Sequence, residues 1–312
     1  MGVIEEVFSI ELPVGEQFRI QRCRYTPSSG ETDKRISIVS GIHGDELEGQ
    51  YVCFLLGEWL RDNREKITGT IDIYPAINSL GLDSITRSVP FYDVDLNRNF
   101  PGSKNDFLPA QIADGVVTAM KGSEIAIDIH SSNIFLREIP QVRIAKSQEA
   151  VLVPLANKLN IDFVWVHDAV TVLESTFAHA MNMEGTKTLV VEMGVGMRLS
   201  KMYGLQLLDG LLNLMACEGF LSINPLDVRM PIQSHVGEVA YLNASQPGLF
   251  VSAIEHCQII EEGSIVGHIV DPLSGERLDE VIAPIAGVLF TLRAYPIVYE
   301  GSLVGRIFGE KR

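Results

Sequence analysis

The chain has 312 residues, enough for one large core plus a small second unit, and its 46% hydrophobic and 21% charged residues match an ordinary folded protein. A formal net charge of −15 without any basic run excludes nucleic acid and anionic lipid surfaces as partners, because both are gripped by clustered Lys and Arg. The opening MGVIEEVFSIELPVG is acidic where a signal peptide is basic and then apolar, and no apolar run reaches the roughly 18 to 20 residues that cross a bilayer. Glu6 stands where a myristoylation signal needs Ser or Thr. Cys23, Cys53, Cys217 and Cys257 form no CxxC pair, which suits buried thiols in a reducing compartment, so the expected location is cytoplasmic.

Residues 35–41, rich in β-branched side chains and closing on Gly41, predict a strand, and residues 47–61 predict the helix after it. Further strands are predicted over 71–78, 124–130 and 188–193, with helical or irregular stretches between them. This alternation implies an α/β layer fold around a parallel or mixed sheet, in which ligands collect at the carboxyl ends of the strands. After about residue 225 the helical spacing stops. Short apolar runs then alternate with Pro247-Gly248, Glu262-Gly263, Ser274-Gly275 and Ala286-Gly287, predicting a small all-β unit with its boundary near Asn224-Pro225.

Four stretches carry groups suited to chemistry. In Gly-Ile-His-Gly-Asp-Glu at 41–46, His43 and Glu46 on one turn can reach a single zinc ion; the plainer alternative is an acidic helix start favoured by the dipole. In Asp-Ile-His at 128–130 an apolar strand ends in His130, which suits a third ligand from a second strand, or else a histidine satisfied by its neighbours. Asp128 shares its face by the period of two and can orient the site. In Asp-Leu-Asn-Arg-Asn-Phe-Pro-Gly at 95–102, Asn97 and Arg98 offer donors for a carboxylate, or form a structural turn. Arg87 lies in a loop ten residues earlier. In Val-Glu-Met-Gly at 191–194 an apolar strand ends in Glu192, a costly placement unless the carboxylate has a partner or a task, such as serving as general base, or is solvent-exposed.

Taken in order, these four motifs resemble the zinc carboxypeptidase superfamily and, within it, the succinylglutamate desuccinylase/aspartoacylase family, over most of the first 200 residues. The resemblance implies a three-layer αβα core with a mixed sheet, formed by residues 1–225, and a barrel-like β domain over 226–312. It implies one Zn2+ per chain on His43, Glu46 and His130. Asn97 and Arg98 would hold the substrate carboxylate, Arg87 would stabilise the oxyanion, and Glu192 would shuttle the proton. Relatives also use a tyrosine near the substrate, for which Tyr203, Tyr241 and Tyr299 are all open. The β unit has no lysine over 282–291, where an attached cofactor would need one at a hairpin tip.

The implied activity is zinc-dependent hydrolysis of a linear amide in a small-molecule N-acyl amino acid or amine. A metallocarboxypeptidase acting on peptides and a catalytically inactive zinc- or ligand-binding homologue are the alternatives. The acidic chain repels anions at long range, so either Arg87 and Arg98 overcome that field locally or the substrate carries an extra amine, as an acylated diamino acid does. Homo-oligomerisation is left open.

Overall fold

The computed structural model describes residues 2–30, 32–167 and 174–310. Its first part contains β1 (Val3–Glu11), β2 (Gln17–Tyr25), β3 (Arg35–Ser40), α1 (Glu48–Asp62), β4 (Thr70–Tyr74), α2 (Ser79–Ser84), α3 (Leu108–Met120), β5 (Ile125–Ser131) and β6 (Leu136–Ala145). There follow α4 (Glu149–Ala156), β7 (Phe163–His167), α5 (Phe177–Met183), β8 (Lys187–Gly194) and α6 (Lys201–Cys217). The predicted strands and helix fall on β3, α1, β4, β5 and β8, displaced by a few residues at their ends.

The principal sheet runs β1-β2-β4-β3-β5-β8-β6, parallel from β4 to β8 and antiparallel at its flanks, with β7 parallel to β6. Every residue of β4 and β5 is buried, including the polar Thr70, Asp72, Asp128, His130 and Ser131, as suits central strands covered on both faces. Side chains alternate between the faces. Ile36, Ile38, Ile71 and Ile73 pack under Leu56 and Leu60 of α1 and Leu207 and Leu211 of α6. Val39 and Tyr74 point the other way, onto Ile112 and Val116 of α3 and Phe177 of α5. Each such buried aliphatic side chain contributes roughly 1.5–3 kcal/mol. The result is a three-layer αβα core with a mixed sheet.

Beyond α6 the described residues form strands and no α-helix: β9 (Ile232–Gln233), β10 (Gly237–Asn243), β11 (Gly248–Ser252), β12 (Ile259–Ile260) and β13 (Ile265–Asp271), then β14 (Glu276–Ile282), β15 (Gly287–Arg293), β16 (Ile297–Val298) and β17 (Leu303–Glu310). A second sheet, β14-β13-β11-β16, closes over a core that includes Phe250, Val266, Ile269, Leu289 and Ile307. The β-rich region is not a detached appendage. β15 pairs antiparallel with β6, Thr291 opposite Glu138 and Leu292 opposite Arg137, so β15, β17 and β10 extend the principal sheet. The pairing covers an edge of β6 that would otherwise expose unpaired backbone groups.

Candidate metal centre and its cavity

His43 and Glu46 sit on the turn that carries the chain from β3 into α1. That turn lies against α2 so closely that a Cβ on Gly44 would fall 2.0 Å from the carbonyl carbon of Gly81, which is why the position needs glycine. His130 ends the neighbouring strand β5. The three side chains are buried and converge: His43 Nδ1 lies 2.7 Å from Glu46 Oε1, His130 Nδ1 lies 2.9 Å from Glu46 Oε2, and the two Nδ1 atoms are 3.2 Å apart. One donor atom from each residue lies within 4.8 Å of the others.

The outward ring nitrogens are anchored. His43 Nε2–H donates to Asp95 Oδ1 at 3.0 Å, and His130 Nε2–H donates to Asp128 Oδ2 at 2.9 Å. Asp95 is itself tied to the following turn, accepting from the Asn97 N–H at 2.8 Å. Charge follows the same plan. Burial opposes a proton on either imidazole, yet Asp128 and Glu46 raise His130 well above its ordinary pKa, and Glu46 and Asp95 raise His43. Burial likewise opposes ionisation of Glu46, but His43 and His130 pull its pKa below the usual carboxylate range. The cluster therefore attracts positive charge. Two imidazole nitrogens and a carboxylate facing a common point, with each ring steered by a second carboxylate, are a donor set that fits a zinc ion.

Around this cluster opens a cavity of about 620 Å³, within the range of small-molecule sites. Of the other residues singled out from the sequence, Arg87, Asn97, Arg98, Asp128 and Glu192 line it. Arg87 Nη1 donates to Glu46 Oε1 at 2.8 Å, while its Nε and Nη2 donate to Asp95 Oδ2 at 3.3 and 3.2 Å. Asn97 uses Oδ1 to accept the Phe177 N–H at 2.8 Å, fixing the start of α5. Arg98 is exposed, and its Nη1 donates to the Asn97 carbonyl at 2.8 Å. Glu192 lies in register with His130 on the adjacent parallel strand, so both side chains rise on the same face. Burial pushes Glu192 up to about 7, against the pull of Arg143 and His130.

Several cavity residues carry no mark in the sequence. Arg143 of β6 lies 3.2 Å from Glu192 and 2.6 Å from Glu138, and Arg306 of β17 lies 2.8 Å from the other oxygen of Glu138. The one available signal is Glu138 itself, an acidic residue inside a strand that is otherwise mostly apolar. None of Tyr203, Tyr241 and Tyr299 lines the cavity; Tyr203 Oη sits 3.4 Å from His256 Nδ1 outside it.

Residues 32–217 match the family model described as the succinylglutamate desuccinylase/aspartoacylase catalytic domain. The chain belongs to this family. Among curated relatives, it is 32% identical over 104 residues to N-alpha-acetyl-L-2,4-diaminobutyric acid deacetylase of Halomonas elongata, covering 33% of this chain and 30% of the relative. It is 39% identical over 71 residues to the aspartoacylase of Mus musculus, covering 22% and 21%. The matched stretches thus span less than a third of either relative's length. Family structures share the fold over nearly the whole chain. The product-bound ectoine utilization protein EutE of Ruegeria pomeroyi superimposes with a TM-score of 0.81 at 19% identity, covering 98% of this chain and 95% of that one. A succinylglutamate desuccinylase/aspartoacylase of Rhodobacter sphaeroides superimposes with a TM-score of 0.81 at 18% identity, covering 99% and 96%.

Proposed function

We propose that this family member is a zinc-dependent hydrolase of linear amides that removes the acyl group from an N-acyl amino acid or a related N-acyl amine, using one zinc ion per chain. The observation that carries this reading is the convergence of His43, Glu46 and His130 with Glu192 in register beside His130, all facing one cavity. The matches to a deacetylase of an acetylated diamino acid and to an aspartoacylase support the reaction class. His43, Glu46 and His130 would hold the zinc, which supplies Lewis acidity that makes water nucleophilic at neutral pH and polarises a carbonyl.

The remaining steps belong to the chain's own groups. Glu192, raised to about 7, is suited to take a proton from the attacking water and hand it to the departing amine nitrogen. Arg87 spends three of its N–H groups on Glu46 and Asp95 and keeps others for the oxyanion. Arg98 and the Asn97 amide N–H groups take the substrate carboxylate, a pairing that a guanidinium makes with two parallel bonds. Residues 1–225 are read as the catalytic unit and 226–312 as the β unit, whose Arg306 lines the cavity. A cavity walled on that side suits a small acylated amine better than a peptide threaded through a groove.

Elemental analysis of the purified protein and of the His43→Ala and His130→Ala variants tests the metal, with about one zinc expected in the parent and none in either variant. A panel of N-acyl amino acids against short peptides tests the reaction. Stoichiometric zinc absent even after reconstitution, or turnover confined to peptides, would overturn the proposal.

A further inference from the structure

Building on the deacylase reading, we infer that the substrate carries a single carboxylate, on its amino-acid part, and an uncharged acyl group. The argument is a charge count of the cavity. Among the described residues its lining contains four guanidinium groups, Arg87, Arg98, Arg143 and Arg306, and no lysine. Three of these are already committed to carboxylates of the protein.

Arg87 is held by Glu46 and Asp95. Arg143 bridges Glu138 and Glu192, at 2.6 and 3.2 Å, and Arg306 holds the second oxygen of Glu138 at 2.8 Å. At that end of the cavity two cations face two carboxyl groups, and the set is neutral when Glu192 is ionised, the form in which it serves as base. Glu138, 1% exposed, cannot turn to solvent to release either arginine. Arg98 is the exception. Among the described residues no carboxylate oxygen lies within 4.0 Å of it; its hydrogen bond goes to the Asn97 carbonyl, and Asp95 feels its charge only from farther away. Residues 168–173, which follow the cavity residue His167, contain no Lys or Arg. His167 and His179 also line the cavity, but an imidazole offers one directed hydrogen bond and not the fixed two-pronged charge of a guanidinium.

One uncommitted guanidinium recognises one carboxylate. With the amino-acid carboxylate on Arg98, the acyl group extends past Glu192 towards Arg143, Ile144, Leu152 and Val190. A second carboxylate placed there would meet Glu138 and Glu192 with no uncommitted cation among the described residues, a desolvated like-charge contact. Dicarboxylic substrates are therefore rejected at either end: succinylated amines by the acyl pocket, and acetylated acidic amino acids by the lack of a second cation. A neutral acyl group on a neutral or basic amino acid is accepted.

The test compares N-butyryl-L-alanine with N-succinyl-L-alanine, whose acyl chains have the same number of carbons and differ by a terminal carboxylate, and N-acetyl-L-alanine with N-acetyl-L-aspartate. The zinc-loaded protein should favour the monocarboxylate of each pair by at least about 100-fold in kcat/KM, equivalent to about 2.7 kcal/mol. A second readout needs no turnover: butyrate should bind the wild-type protein more tightly than succinate in calorimetry. Glu138→Gln frees guanidinium charge and should move the butyryl-to-succinyl preference towards succinyl by at least about tenfold. Equal hydrolysis of both members of a pair would refute the inference and leave the deacylase reading intact. Failure to hydrolyse any N-acyl amino acid, with butyrate still bound in preference to succinate, would refute the deacylase reading and leave the charge count standing. Succinate bound as well as butyrate would refute the inference whatever the kinetics.

Discussion

Asp95→Ala isolates what steers the first histidine of the cluster. The side chain does three things: it accepts the Nε2–H of His43 at 3.0 Å, it accepts the Asn97 N–H at 2.8 Å as the cap of a short turn, and it pairs with Arg87 at 3.2 Å. Losing a cap costs about 1 kcal/mol. The Arg87 pair is partly exposed and adds at most about 1 kcal/mol, so folding stability should fall by roughly 1–2 kcal/mol. The larger effect falls on the metal. Removing the partner that orients a ligating imidazole typically lowers affinity 10- to 100-fold. Zinc affinity measured by competition with a chromophoric chelator, beside urea unfolding in EDTA, separates the two effects. Asp95→Asn keeps an oxygen for both Nε2–H and the Asn97 N–H, and should recover most of the stability and part of the affinity. If the alanine variant folds and binds zinc within threefold of the parent, Asp95 does not hold His43 in its ligating pose.

Glu192→Gln should keep stoichiometric zinc and lose on the order of 10²–10⁴ in turnover, which elemental analysis and steady-state kinetics measure together; near-normal turnover removes Glu192 from proton transfer. Glu138→Ala leaves Arg143 and Arg306 without their shared counter-ion and should destabilise the fold by about 3–5 kcal/mol in urea; a loss below about 1 kcal/mol would mean that water replaces the carboxylate. Gly44→Ala forces a methyl group into the Gly81 backbone and should cost at least about 1–3 kcal/mol, read as a lower thermal midpoint, and a wild-type midpoint would contradict the close approach. His256 is pushed down to about 4 by burial, opposed by its bond to the Phe290 carbonyl. An imidazole with a depressed folded pKa costs nothing above its unfolded value near 6.5. Stability is then lost as pH falls from about 6.5 towards 4, amounting to about 2 kcal/mol at pH 5. His256→Gln should remove that part of the acid dependence, and parallel stability curves for parent and variant between pH 7 and pH 5 would exclude it.

The convergence of His43, Glu46 and His130 and the place of Glu192 beside them were legible in part because an apolar β run that ends in His or Glu must present a polar group where the strands stop. His130 and Glu192 end such runs on β5 and β8, and the pairing of those strands brings them into register. Asp128 was readable from the period of two. Asp95 was visible as a motif member but not as the partner of His43, because 52 positions separate the two and no periodicity links them. The Glu138–Arg306 contact spans 168 positions and depends on how β6, β15 and β17 pair, a register set by turns and packing and not by any local pattern. The β texture after residue 225 was readable, whereas its merger with the principal sheet was not, since an alternating strand does not announce which edge it joins.

The pairing of β15 with β6 also sets the order in which the protein can become itself. Local closure can build the β3–α1 turn and its ligand pair early, since His43 and Glu46 are three residues apart. The wall of the cavity waits for residues near position 300 to return to a strand formed around position 140. Contacts of that separation are slow, because much loop entropy is lost before any of them forms. A ribosome-bound chain would therefore form the turn that carries His43 and Glu46 before the far wall of its cavity, with the edge of β6 open to any other unpaired strand in the interval.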